Sequence, residues 1–258
     1  MKDPFSVEGK VTIVTGGGTG IGESIAKEFA KRGAPVLIAS RKAENLENVR
    51  DEIRRAGGQC ELALCDVRDD AHCDAMVAHA VKHFGHLDAI SNNHGASITT
   101  PSLNLSPNGW RAVVGINLDG VFFCSRAAAR RFMAQKSGGS IVNISSTAGV
   151  HGSPQMLPYG ASKAGAINLT VSHAGEWERM ASGSIASPPD PSIRRRRPLV
   201  CGRIPRSRRW WRARASLRRF GAVEEIAYPC IFVASDASSY VTGARLIVDG
   251  GQAPGEAE

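Results

Sequence analysis

The run VTIVT at 11–15 leads straight into Thr15-Gly16-Gly17-Gly18-Thr19-Gly20-Ile21-Gly22, and that loop leads into apolar residues at helical spacing, Ile21, Ile25 and Phe29. A short β-branched run reads as a buried strand, and the glycines after it let the backbone turn sharply into a helix. This order confines the start of the chain to a strand–loop–helix unit. The amides at such a helix N-terminus, together with the helix dipole, favour an anion. Glycine-rich turns are common, but one placed between a first strand and an amphipathic helix points to a phosphate cradle.

The alternation continues along the chain. Helical spacing stops at Gly33, a strand is expected at 36–39, and a helix at 46–55 is closed by Gly57-Gly58. Further strands are expected at 62–65, 87–91 and 140–145, and helices at 71–84, 110–133 and 159–180. Strands alternating with helices through short turns imply right-handed βαβ units. The fold expected is therefore α/β: a single-domain, Rossmann-like, doubly wound parallel sheet flanked by helices over residues 1–258. A chain of 258 residues, 42% hydrophobic and 22% charged, suits one large domain.

Six cysteines without a C-x-x-C pair suggest reduced thiols and a cytoplasmic protein. His72, Cys73, His79 and His83 share a predicted helix, but nothing completes a ligand set, so no metal site is assigned. The N-terminus shows no signal-peptide pattern, and no apolar run is read as approaching a membrane span.

In a doubly wound sheet the choice of nucleotide is made at the end of the second strand, where an acid would hold a ribose 2′-hydroxyl. Here the sequence is Ala39-Ser40-Arg41-Lys42. No carboxylate stands there to repel a 2′-phosphate, and Arg41 offers a planar fork that can grip one. Ser40, Arg41 and Lys42 therefore favour NADP(H) over NAD(H).

At this point the chain resembles the short-chain dehydrogenase/reductase family. Its T-G-x-x-x-G-x-G is met by Thr15, Gly16, Gly20 and Gly22, with Gly18, Thr19 and Ile21 in the same loop. Its Y-x-x-x-K is met by Tyr159 and Lys163, its serine thirteen residues earlier by Ser146, and its helix asparagine by Asn117. Asp66 and Val67 resemble the pair that contacts adenine. The family's N-N-A-G falls on Asn92, Asn93, His94 and Gly95, with an imidazole where alanine is usual, and the resemblance implies that Asn92, Asn93 and Gly95 face the cofactor. His94 is expected to face solvent, with a substrate role the less favoured alternative.

The resemblance implies an oxidoreductase acting on a carbonyl/alcohol or acyl-CoA substrate, assembled as a homodimer or homotetramer. Tyr159 is the expected proton donor, and Lys163 at i+4 is expected to lower its pKa and to hold the nicotinamide ribose. Ser146 would bond the substrate oxygen, and Asn117 would hold a relaying water. A 3-oxoacyl or ketone reductase is expected first. An enoyl-CoA or dienoyl-CoA reductase and a nucleotide-binding but catalytically impaired protein are the alternatives.

One stretch breaks the pattern. Residues 181–219 hold 12 of the 32 Lys+Arg and a single acid, Asp190, which accounts for the net charge of +8 on an otherwise mildly acidic chain. Arginines interleaved with Trp210-Trp211 would suit nucleic acid by composition, the least favoured reading. The family continues here with G-I-R-V-N-x-I-x-P-G, whereas this chain reads ASGSIASPPDP at 181–191. Back-translated with GC-rich codons and read from the last base of the Met180 codon, the same bases encode G-I-R-V-N-R-I-A-P-G-P. Residues 181–218 are thus expected to be a frame slip with irregular backbone, unable to supply the sixth strand. The family pattern resumes at Arg219-Phe220-Gly221.

Overall fold

The computed structural model describes residues 3–177, 180–187 and 215–252. Seven strands form one sheet in the order β3-β2-β1-β4-β5-β6-β7, and every neighbouring pair is parallel. The strands are β1 (Thr12–Thr15), β2 (Val36–Ser40), β3 (Cys60–Leu64), β4 (Ala89–Asn92), β5 (Gly139–Ser146), β6 (Met180–Ser187) and β7 (Ala244–Ile247). The helices are α1 (Gly20–Lys31), α2 (Ala43–Arg55), α3 (Asp70–Phe84), α4 (Pro107–Val114), α5 (Gly120–Gln135), α6 (Leu157–Glu176) and α7 (Glu224–Ala234).

Alternate residues of each strand serve opposite faces. Val14 and Ile38 join Ile25 and Phe29 of α1 and Ile226 and Cys230 of α7 on one side. Ile13 and Leu37 join Cys73 and Met76 of α3 and Cys124 and Phe132 of α5 on the other. The doubly wound α/β expectation holds. The strand order reverses between β1 and β4, which opens a crevice beyond their carboxyl ends.

Two helices depart most from the sequence reading. The helix expected over 110–133 is interrupted by a π-helical turn, Gly115–Asp119, between α4 and α5. The helix expected over 159–180 stops at Glu176, and Met180 already belongs to β6. The stretch Pro107–Gln135 is, against the sequence reading, long and apolar enough by composition to cross a membrane, and half of its most apolar window is buried in the protein.

The larger correction concerns residues 181–187. Irregular backbone was expected there, yet 180–187 run in register between two strands, from Gly139↔Met180 to Ser146↔Ser187 on β5 and from Gly183↔Ala244 to Ala186↔Ile247 on β7. Pro188, Pro189, Pro191, Pro198 and Pro205, the residues that would break a central strand, all lie beyond it. Small residues leave the ladder's hydrogen bonds intact. Residues 188–214, the rest of the arginine-rich stretch, lie outside the described residues.

What the segment fails to supply is side chains. Ile185 is buried, but Gly183 leaves Val233 facing only backbone, and the buried Ser184 hydroxyl has no partner among the described residues. An orphaned buried hydroxyl costs about 1–3 kcal/mol, and a β-branched residue suits a central strand. Ser184→Val should therefore raise Tm by about 2–4 °C in a domain of this size. An unchanged or lower Tm would mean that the hydroxyl is already satisfied.

Candidate active site

The glycine loop closes against the turn after β4. Gly16 has φ +67, in the left-handed region, and a Cβ on Gly22 would lie 2.3 Å from the Gly16 carbonyl oxygen. The Asn93 side-chain amide donates to the carbonyls of Thr15 at 3.1 Å and Gly16 at 3.4 Å. Thr19, the N-cap of α1, is extended and makes no side-chain capping bond. The first amides of α1, from Gly20 through Ile21 to Gly22, are thus left without a side-chain acceptor. A Cβ on Gly17 would meet Ile38 at 2.7 Å and one on Gly18 would meet Asn45 at 3.0 Å, so these two glycines let the loop lie close over β2 and α2.

Ser40, Arg41 and Lys42 stand at the end of β2, with Arg41 and Lys42 exposed. The Ser40 hydroxyl accepts from the Lys42 amide at 3.3 Å. Across from them, Asp66 is gripped by Arg68, whose Nε donates to its carboxylate at 2.9 Å. That guanidinium, with Arg41 adding a smaller share, pulls the Asp66 carboxyl down to about 2. Val67 is buried behind it. The sequence reading named Asp66 and Val67 but missed Arg68, whose only signal is a cation two residues after the acid.

Asn92 is held inside the protein. Its side chain is fully buried, and its Nδ2 donates to Ser125 at 2.9 Å and Asn143 at 2.8 Å, so it ties β4 to α5 and β5. Gly95 lies deeper in the crevice; a Cβ there would meet the Asn117 Oδ1 at 3.5 Å and the Lys163 ammonium at 3.7 Å.

The four expected catalytic side chains come together from three elements. Asn117 sits in the π-helical turn, where its Oδ1 accepts from the Ala96 amide and its Nδ2 donates to the Ala96 carbonyl, both at 2.8 Å. Nδ2 also donates to the Ser162 hydroxyl at 3.1 Å, a partner the sequence reading overlooked although it precedes Lys163. Ser146 ends β5, and its hydroxyl is hydrogen-bonded to Tyr159. Lys163 is buried, with Nζ donating to the Ile144 carbonyl at 2.6 Å and lying 5.9 Å from the Tyr159 ring centroid. The Ser145 hydroxyl donates to the Lys163 carbonyl at 2.9 Å and so pins α6 to β5.

The expected sign of the tyrosine shift is reversed. Burial raises the Tyr159 phenol, and the Ser146 hydroxyl only partly opposes it. The Lys163 ammonium is engaged by the Ile144 carbonyl, 5.9 Å from the Tyr159 ring centroid, and burial outweighs what lowers the phenol. Burial also pushes Lys163 itself down to about 8.

A lysine depressed in the folded state carries a penalty that is full below about pH 8 and fades as pH rises toward its ordinary value near 10.5. Relative to Lys163→Met, the parent chain should therefore gain stability between about pH 8 and 10. Chemical denaturation of both proteins across that range reads this difference directly. A gap that does not change with pH would place the ammonium in solvent.

His94 is the other correction. It is buried, not solvent-facing, and Nδ1 lies 2.7 Å from the Thr15 hydroxyl. Burial, with the Lys163 charge adding to it, pushes the imidazole down to about 3, so it is neutral.

The sequence pattern of the short chain dehydrogenase family matches residues 10–184, which span the glycine loop, the β4 turn, Asn117, Ser146, Tyr159 and Lys163. This chain belongs to that family. Among the relatives of this short-chain dehydrogenase is a Bacillus subtilis (strain 168) protein described as a probable 2,4-dienoyl-CoA reductase, 37% identical, with 95% of this chain and 97% of the relative covered. A 3-oxoacyl-acyl-carrier-protein reductase of Thermotoga maritima is 34% identical, with 95% and 98% covered. Among solved structures, a short-chain type dehydrogenase/reductase from Mycobacterium marinum superposes with a TM-score of 0.87 at 30% identity, covering 98% of this chain and 99% of the other. The protein is an enzyme of the oxidoreductase class.

Proposed function

We propose that this dehydrogenase uses NADP(H) to interconvert a ketone and an alcohol, acting as a 3-oxoacyl or simple ketone reductase. The observation that carries the reading is the Ser146–Tyr159 hydrogen bond beside buried Lys163 and Asn117, at the end of β5 and next to the glycine loop. The bound nicotinamide would supply the hydride. Gly16, Gly20, Ile21 and Gly22 fit its pyrophosphate, because the loop leaves the α1 amides uncapped and admits no Cβ at Gly22. Arg41 and Lys42, exposed at the end of β2 and facing an Asp66 carboxylate already engaged by Arg68, suit a 2′-phosphate.

Ser146 and Tyr159 together hold the substrate carbonyl oxygen, and Tyr159 Oη gives it the proton. The raised phenol keeps that proton on Tyr159 until the oxygen becomes basic. The Lys163 ammonium then supports the tyrosinate left behind. Asn117 clamps the Ala96 backbone and Ser162, which fixes the floor of the pocket.

The dienoyl-CoA reductase reading is kept because of the Bacillus subtilis relative. Following NADPH oxidation with acetoacetyl-CoA, crotonyl-CoA and a 2,4-dienoyl-CoA separates the two. Turnover of the dienoyl substrate alone would overturn the ketone assignment, and a preference for NADH would overturn the role of Arg41. The reading also includes a cytoplasmic location, supported by the free cysteines among the described residues, and a homodimer or homotetramer, supported by family membership.

A further inference from the structure

The imidazole of His94 lies between two parts of the site and has no role in the reading above. On one side Nδ1 meets the Thr15 hydroxyl at 2.7 Å, and Thr15 is the residue from which the glycine loop springs. On the other side Nε2 is buried, and the ring has the Ile116 backbone as a hydrogen-bonding neighbour. It fills the space that Gly120, in the first turn of α5, leaves open: a Cβ there would meet Nε2 at 2.9 Å and Val67 at 2.7 Å. Immediately downstream, the Ala96 amide and carbonyl are clamped by Asn117, which also bonds Ser162. The backbone of His94 itself supports Gly16, whose Cβ position would lie 3.2 Å from the His94 Cα.

We propose that His94 is a positioning residue, a buried neutral strut that couples the glycine loop through the turn at 93–96 to Asn117 and Lys163. Either ring tautomer preserves the link. The Thr15 hydroxyl can donate to Nδ1, or it can accept from Nδ1–H while donating to the Ser91 carbonyl at 3.2 Å. Because burial keeps the ring uncharged, it acts by geometry and takes no part in proton transfer. An alanine in this position would leave Thr15 without its shortest bond and a cavity between β1 and α5. The contact is therefore a device of this chain, set beside the usual four-residue site.

The proposal rests on the dehydrogenase reading for its nucleotide readout but not for its structural one. Amide hydrogen exchange on the nucleotide-free full-length protein tests the coupling itself. His94→Leu, which restores volume without a polar nitrogen, should speed exchange roughly fivefold both in the loop at 16–22 and at Ala96. His94→Asn, which keeps a polar atom near the Nδ1 position, should stay within about twofold of the parent. Acceleration confined to the substituted turn, or equal damage in both variants, would overturn the coupling. Should His94→Leu not fold, Thr15→Val cuts the same bond from the other end at nearly constant volume and must reproduce the pattern. NADPH titration by fluorescence should show a roughly fivefold higher Kd for His94→Leu and near-parental binding for His94→Asn. If the unsubstituted chain binds no NADPH, the dinucleotide reading fails, while the exchange result still decides the strut.

Discussion

Rewriting residues 181–218 in the alternative reading frame should raise NADPH-dependent ketone reduction by roughly 10²-fold or more, the cost of a misplaced pocket wall. The present chain supplies β6 as a backbone ladder but with Gly183 and with a Ser184 hydroxyl that has no partner among the described residues, beside the buried Ile185. In the shifted frame, with one base added ahead of the glycine codon, valine falls at position 184 and the family's P-G turn follows. The comparison needs both proteins at equal concentration, with circular dichroism showing that each is folded. Equal rates would dispose of the frame-slip reading and leave 181–218 as a working part of this enzyme. Resequencing the gene is the independent check on whether the slip lies in the DNA.

The second large effect concerns Tyr159. In whichever version turns over, Tyr159→Phe should lower kcat by about 10²–10⁴-fold, the usual weight of a positioned proton donor. NADPH affinity should change by less than about twofold, since the ring that lies against Lys163 is retained and one hydrogen bond, to Ser146, is lost. Steady-state rates and a nucleotide titration on the same preparation separate the two quantities. A variant that keeps a tenth of the parental rate would move the proton to another donor and overturn the assigned role.

The fold was legible because period and punctuation agree: β-branched runs end at glycine and helical spacing begins at once, as at Val14, Gly16 and Ile25. The four site residues were legible for a different reason, since Tyr159 and Lys163 at i,i+4 share a helix face whatever surrounds them. Environment was not legible. Nothing in the sequence says that burial outweighs what lowers the Tyr159 phenol, so the sign of its shift came out reversed. Nor does a lone histidine in a turn reveal that Gly120 has left room for it. The β6 strand escaped because composition was averaged over a stretch whose first seven residues differ from the rest: the prolines begin only at Pro188.

That strand carries a wider consequence. A segment held between two parallel neighbours inherits its path from them, so its own side chains can be wrong while its course stays right. Damage of this kind shows as a lower melting temperature and an ill-fitting substrate wall, with little trace in the outline of the molecule. A gene bearing such a lesion can yield a protein that folds, persists and binds its nucleotide, and that differs from its relatives chiefly in how little it accomplishes.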